Sequence, residues 1–278
     1  MSFWDRIQNI DRRIWYFLLI VSLFIPLVAP LGLPLAVSEN AQKVYDTVDA
    51  LPEGSIVIVS PSYSPGTDAE MWPQHAAIVQ HLIKNKLKVI QVSLVLESVM
   101  FATKARLEYF DRLGYEYGVD HVIMPYKAGA DVAIASMGRD FKALYTEDYL
   151  ETPTDQLPLI AGMTGIEDVK LIIDFMPGNT LVDYIKQIGG TYNIPITGGV
   201  TGVCIPTMMP YVMSGQCLGL LGGMKGAAEY ELLIKSPGPA LGGMDAQSLS
   251  HLLIIFAIAV GNLGFIMTRN RETGGGGK

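Results

Sequence analysis

Two apolar runs stand apart from the rest of the chain. Ile14–Val37 is uncharged throughout and is bracketed by Arg12, Arg13 and Glu39. Leu249–Met267 is a second uncharged run, closed by Thr268-Arg269-Asn270-Arg271. Each has about the 20 residues a helix needs to cross the hydrocarbon core of a bilayer, so each predicts a transmembrane helix. Pro26, Pro30 and Pro34 recur every fourth residue and remove backbone donors from successive turns. They predict a kinked or unwound outer half for the first span. A cleaved signal peptide is the rival explanation of that run, because Ala36-Val37-Ser38 offers small residues where a peptidase would cut.

Between the runs the pattern changes to strand and helix in alternation. Ile56-Val57-Ile58-Val59 is continuous and β-branched, as in a strand buried on both faces. A helix comes next, to about Lys86, with Thr67 and Glu70 at capping-box spacing. Val89–Val92, His121–Met124, Lys170–Phe175 and Ile194–Thr197 read as further strands. Met100–Tyr117, Asp131–Tyr145, Asn179–Ile188 and Ala227–Ile234 read as helices. This alternation predicts an α/β fold, a parallel-sheet Rossmann-like or flavodoxin-like domain inserted between two transmembrane helices. The divisions are a tail at 1–13, the first span at 14–37, the domain at 38–234, a Pro/Gly linker at 235–248, the second span at 249–267 and a tail at 268–278. Val203–Met224, uncharged and rich in Met, Leu and Gly, predicts a buried helix, continuous or broken, covering the sheet, or else a surface that meets membrane or a neighbouring subunit.

Charge adds direction to this layout. The chain carries a net charge of −7 and a mean hydropathy of +0.32. Basic residues flank the outer ends of the two spans and the inner flanks carry mainly acids, so the positive-inside rule places both termini in the cytoplasm and the domain outside the cell membrane. An acidic domain argues against nucleic acid as a partner, since phosphate binding needs clustered Lys and Arg.

In a parallel sheet, ligands bind beyond the carboxyl ends of the strands. Two loops on that rim carry chemistry. Ser60, Ser62, Ser64 and Thr67 place hydroxyls ahead of a helix N-terminus, where free N–H groups favour an anion. Thr197, Gly198, Gly199, Thr201 and Gly202 would let backbone approach a ligand closely. Neither loop is a phosphate-binding fingerprint, and no motif implies a cofactor. His75, His81, His121 and His251 have no metal-ligand spacing, so no metal site is expected. Ser60 or Ser62 with His121 and Asp120 lacks the G-x-S-x-G elbow of a hydrolase. Cys204 and Cys217, thirteen positions apart, read as buried free thiols. In the second span, Ala257, Gly261 and Gly264 are small residues at helical spacing and Asn262 brings an amide, a pattern for helix packing. The chain thus predicts a membrane-anchored, non-enzymatic domain whose partners are the bilayer and either copies of itself or other membrane subunits. A small-ligand sensor using the rim is the alternative, and a tethered hydrolase or transferase the third.

Overall fold

The computed structural model describes residues 10–274, with side chains described through Arg269; most of the tail expected at 1–13 and the end of the tail expected at 268–278 lie outside these residues. In chain order the elements begin with α1 (Arg12–Val28), α2 (Glu39–Asp49), β1 (Ile56–Pro61), α3 (Asp68–Lys84), β2 (Lys88–Gln91), α4 (Ser98–Ala105), β3 (His121–Ile123) and α5 (Ala130–Arg139). They continue with β4 (Val169–Met176), α6 (Thr180–Tyr184), β5 (Ile196–Val200), α7 (Ile205–Met213), β6 (Leu220–Gly222), α8 (Gly223–Leu233) and α9 (Pro239–Gly274). The chain divides into two compact units, Leu35–Ala240 and the pair of terminal segments that end at Pro34 and begin at Leu241.

The larger unit is a six-stranded sheet in the order β3-β2-β1-β4-β5-β6, parallel at every pairing. That order is the doubly wound one of Rossmann-like folds. Its central strands are apolar on both faces because helices cover both. Val57, Val59, Leu171 and Ile173 pack with α2, α3, α4 and α8, while Ile58, Ile90 and Ile172 pack with α5, α6 and α7. Local signals explain where helices start and stop. Ser38 caps α2 by accepting the Ala41 N–H, and Ala41, Val44 and Val48 at helical spacing form its buried stripe. The helix expected at Met100–Tyr117 is shorter: α4 widens into a π-helical turn at Arg106–Phe110 and ends at Gly114, φ +80°. No capping box opens α3; Thr67 makes no cap bond and Glu70 is engaged elsewhere.

Val203–Met224 is not one broken helix. It supplies α7, the edge strand β6 and the first residues of α8. Met208 and Cys217 are buried, but Val203 and Met213 are 85% and 82% exposed. The connector expected at 235–248 is also shorter, since α9 begins at Pro239.

Among the described residues one helix is long and apolar enough to cross a membrane: Pro239–Arg269, mean hydropathy 2.1. The expected first span, 14–37, is corrected. Its helix is Arg12–Val28, 17 residues, or about 25 Å against a hydrocarbon core of about 30 Å. The helix stops at Ala29, ahead of Pro30, because a residue before proline is driven out of helical geometry. The turn beyond Pro30 is held by Asp245, whose carboxylate accepts three successive backbone N–H groups, from Leu31 (2.7 Å), Gly32 (2.9 Å) and Leu33 (3.1 Å). Gly32 makes this turn possible at φ +67°. The helices run antiparallel, with the Ser22 and Ser250 hydroxyls 3.3 Å apart and Trp15 tilted against Phe256.

Candidate functional site

The sheet's strand order reverses between β1 and β4, and the crevice beyond such a point is where doubly wound folds bind ligands. Here Ser60 sits opposite Asp174 in register. Asp174 is fully buried. Its Oδ1 accepts the Ser62 hydroxyl at 2.6 Å and its Oδ2 the Thr180 hydroxyl at 2.6 Å, while Ser60 and Ser62 share a hydrogen bond of 2.8 Å. Burial pushes the Asp174 carboxyl up to about 6, and the hydroxyls of Ser62, Thr180 and Ser60 pull against that shift by favouring the anion. Burial first, then the neighbouring Asp174, raises the Tyr184 phenol well above its usual range. The arrangement is an acid near neutrality, bonded to two hydroxyls at the switch point.

Protein atoms fill this part of the rim. Ser60, Ser62 and Thr197 are buried, and Thr197 donates to the Gly219 carbonyl at 2.9 Å. A Cβ on Gly198 would lie 2.3 Å from the Asp174 carbonyl oxygen, and one on Gly199 would lie 1.9 Å from Gln74 Oε1. These glycines therefore admit a neighbouring strand and a side chain of α3. Gln74 Nε2 reaches the carbonyls of Glu70, Val200 and Gly223. Glu70 Oε2 accepts the Gly202 N–H at 2.8 Å, so a carboxylate of the chain itself occupies that donor. Thr201 is buried with its hydroxyl on Cys204 Sγ. Ser64 and Thr67 are partly exposed, and Thr67 bonds the Ser64 carbonyl. The structure thus joins Ser60 and Ser62 to each other and to Asp174, and leaves Ser64, Thr67 and Gly202 at the surface. A hollow of about 290 Å³ lies toward the other end of β5, lined by Ile185, Asn193, Pro195, Gln216 and Leu218 among others.

The histidines of the α/β unit are core groups. His75 bonds the Tyr63 hydroxyl, His81 bonds Tyr230 and Asp49, and His121 bonds Gln91. Burial lowers His75 and His121 to about 3, so both are neutral. His121 opens β3 while Ser60 lies near the far end of β1, so a triad of these residues is excluded by topology. Among the described residues no three metal-ligating side chains cluster, and both cysteines are free thiols.

A feature missed in the sequence is a pair of carboxylates on α8, Glu229 and Glu231, each 2% exposed. Glu229 accepts the Ser38 hydroxyl at 2.6 Å and pairs with Lys225 at 3.0 Å. Glu231 accepts the N–H groups of Gly238 and Ala240, each at 3.0 Å, at the start of α9. One helix therefore fastens both chain ends of the α/β unit. Two glutamates flanking Tyr230 in a helix whose other charge is Lys225 were the available signal.

On α9, Gly264 is buried and Ala257 half-buried, whereas Gly261 and Asn262 are exposed. By helical spacing Ala257, Gly261 and Gly264 lie within about 60° of one another, and Asn262 stands apart from them.

No family model matches this chain, and no curated protein matches it. Five chains of solved structures do match. One is described as the crystal structure of AibC, at 14% identity and a TM-score of 0.32, covering 80% of this chain and 54% of that chain. The chain thus spans about half the length of that structure, and a TM-score of this size transfers neither fold nor function.

Proposed function

We propose that this chain is a membrane-anchored, non-enzymatic α/β domain that serves as a subunit, self-associating or joining a larger membrane assembly. The observation that carries this is the outer surface of the two apolar helices. Ile14, Phe17, Ile20 and Phe24 on α1, and Leu252, Ile255, Phe256 and Phe265 on α9, are each more than 50% exposed. Apolar area on that scale needs lipid or protein against it. In this proposal α1 enters the bilayer beside α9, its 17 residues extended by the uncharged stretch 29–34. The antiparallel arrangement then brings Arg12, Arg13 and Arg269 toward one side, which the positive-inside rule makes cytoplasmic, with the α/β unit outside. The filled switch point supports a subunit over an enzyme. The test is the mass of the complex extracted from its own membrane in mild detergent. A multiple of the chain mass, or a fixed partner set, is expected; a lone chain with neither would overturn the proposal.

A second reading, a small-ligand sensor, is favoured by Asp174 alone, an acid near neutrality at the place where such folds bind ligands. Retention of a small molecule lost on Asp174→Asn or Ser64→Ala would support it.

A further inference from the structure

We propose that the hollow of about 290 Å³ at the amino end of β5 is a binding site for a small neutral polyhydroxyl ligand, of the size of a single sugar ring. It lies at the opposite edge of the sheet from the switch point, and it goes beyond both readings above.

One wall is the end of the helix that α6 begins. Beyond Tyr184 it widens into a π-helical turn at Ile185–Gly189, where the Gly190 N–H reaches back five residues to the Ile185 carbonyl. Such turns are rare and often mark functional sites. A last helical turn, Gly190–Tyr192, ends at Asn193, φ +54°. After a left-handed ending the next N–H groups ordinarily fold back onto the carbonyls of the last turn. Here the N–H groups of Asn193 and Ile194 make no hydrogen bond among the described residues, and neither does the Asn193 carboxamide. Ile194 is buried, and a free N–H on a buried residue calls for a partner. The loop from α7 to β6 supplies another wall. Gln216 Oε1 accepts the Ser214 hydroxyl at 3.0 Å, while its Nε2 and its backbone N–H have no partner among the described residues. Gly190 also lines the hollow. A Cβ there would come no nearer than 3.9 Å to its closest neighbour, the Ile185 carbonyl oxygen, and φ is −74°, so neither packing nor conformation requires glycine in this helical turn. What glycine provides is room.

The chemistry of this lining selects the ligand. None of the residues around the hollow is ionisable. The helix end presents the negative end of its dipole, which disfavours an anion, and no carboxylate is present to hold a cation. The unpartnered N–H groups need acceptors, and the last-turn carbonyls, without the donors that residues 193 and 194 would bring, need donors. A hydroxyl is both. Ile185, Pro195 and Leu218 supply apolar surface for the C–H face of a ring. Size sets the upper limit: a cavity of about 150 Å³ holds benzene, and pockets for drug-sized molecules begin near about 300 Å³. One ring with its hydroxyls fits between these values, and a disaccharide or nucleotide does not.

The experiment uses the full chain in a detergent without a sugar headgroup, and its probes are a panel of neutral hexoses and pentoses at millimolar concentration. Backbone amide exchange is read residue by residue. A sugar of the panel should slow exchange at Ile194 and Gln216 by about ten-fold at ten times its Kd, and leave Gly202 on the opposite rim unchanged. Gln216→Leu, at an exposed position, should weaken that sugar by about 5- to 10-fold, the worth of one neutral hydrogen bond. Gly190→Leu should abolish binding by taking up the room. Glucuronate, a ring of similar size carrying a carboxylate, should bind at least about ten-fold more weakly than the neutral sugar, since the helix end repels its charge. No slowing by any sugar, slowing at Gly202 in place of Ile194 and Gln216, or binding unmoved by Gln216→Leu would overturn the site. Glucuronate binding as tightly as the neutral sugars would overturn the ligand class. None of these outcomes changes the mass that tests the subunit proposal.

Discussion

Asp174 links burial to pH. Its carboxyl is raised to about 6, while in an unfolded chain it titrates near 3.9. The folded protein therefore keeps a proton between those values that the unfolded chain has released. The resulting stabilisation is full below about pH 4 and is lost as pH rises through about 6. His75 and His121, lowered to about 3, act with the opposite sign: their neutral forms stabilise the fold above about pH 6.5, and this is lost as pH falls. Two histidines outweigh one aspartate, so these groups make the chain lose stability on acidification below about 6.5. Asp174→Asn should steepen that loss by about 1.4 kcal/mol per pH unit between about 4 and 6 and leave the slope above pH 7 unchanged, as read by urea unfolding at several pH values. Gly198→Ala should cost about 1–3 kcal/mol in the same assay, because the Asp174 carbonyl belongs to a strand that cannot swing aside. A pair of glycines on the rim shows in the sequence that something comes close. What comes close, the Asp174 backbone and the Gln74 amide, depends on a strand and a helix far away in the chain. Asp174 sits within the strand Val169–Met176, and no local motif there marks it as part of a site.

At the scale of elements, legibility tracked length and burial. Ile56–Val59 is apolar at every position because both faces of β1 are covered, and α3 is buried nearly all round from Met71 to Ile83, with Ala76–Val79 a continuous apolar run, so both stand out. β6 is three residues at the sheet edge, Leu220–Gly222, bonded on one side only, and it dissolves into the Gly-rich stretch around it. The end of α1 was legible in part: the proline spacing predicts unwinding in the outer half of the run, but hydropathy continues past Val28 and does not mark where the helix stops. Its continuation depends on Asp245, more than 200 residues away in sequence. Asp245→Ala should expose the amides of Leu31, Gly32 and Leu33 to exchange, seen as faster deuterium uptake confined to that segment. Glu231→Ala should do the same for Gly238 and Ala240 and cost about 1–3 kcal/mol, the penalty of leaving buried donors without an acceptor; Glu231→Gln, which keeps one acceptor, should lose less.

For the whole molecule, the doubly wound sheet was predictable because strand and helix alternate, but its strand order was not, since nothing local says that β1 lies between β2 and β4. The orientation proposed from charge asymmetry makes a separate prediction. In intact cells, with Cys204→Ser and Cys217→Ser in place, an impermeant thiol reagent should label Val203→Cys, a position 85% exposed, and fail to reach Arg269→Cys until the membrane is opened. Labelling in the reverse pattern would place the α/β unit in the cytoplasm. The carboxylates of α8 also set a sequence of events during synthesis. Ser38 leaves the ribosome early, but its acceptor, Glu229, is 191 residues behind it, a delay of roughly 10 to 40 s at ordinary elongation rates of about 5–20 residues per second. Throughout that interval the entry point of the α/β unit stays unfastened. The α/β unit closes on itself only as the long apolar helix α9 begins to emerge, so completing the fold and delivering that helix are one step in time.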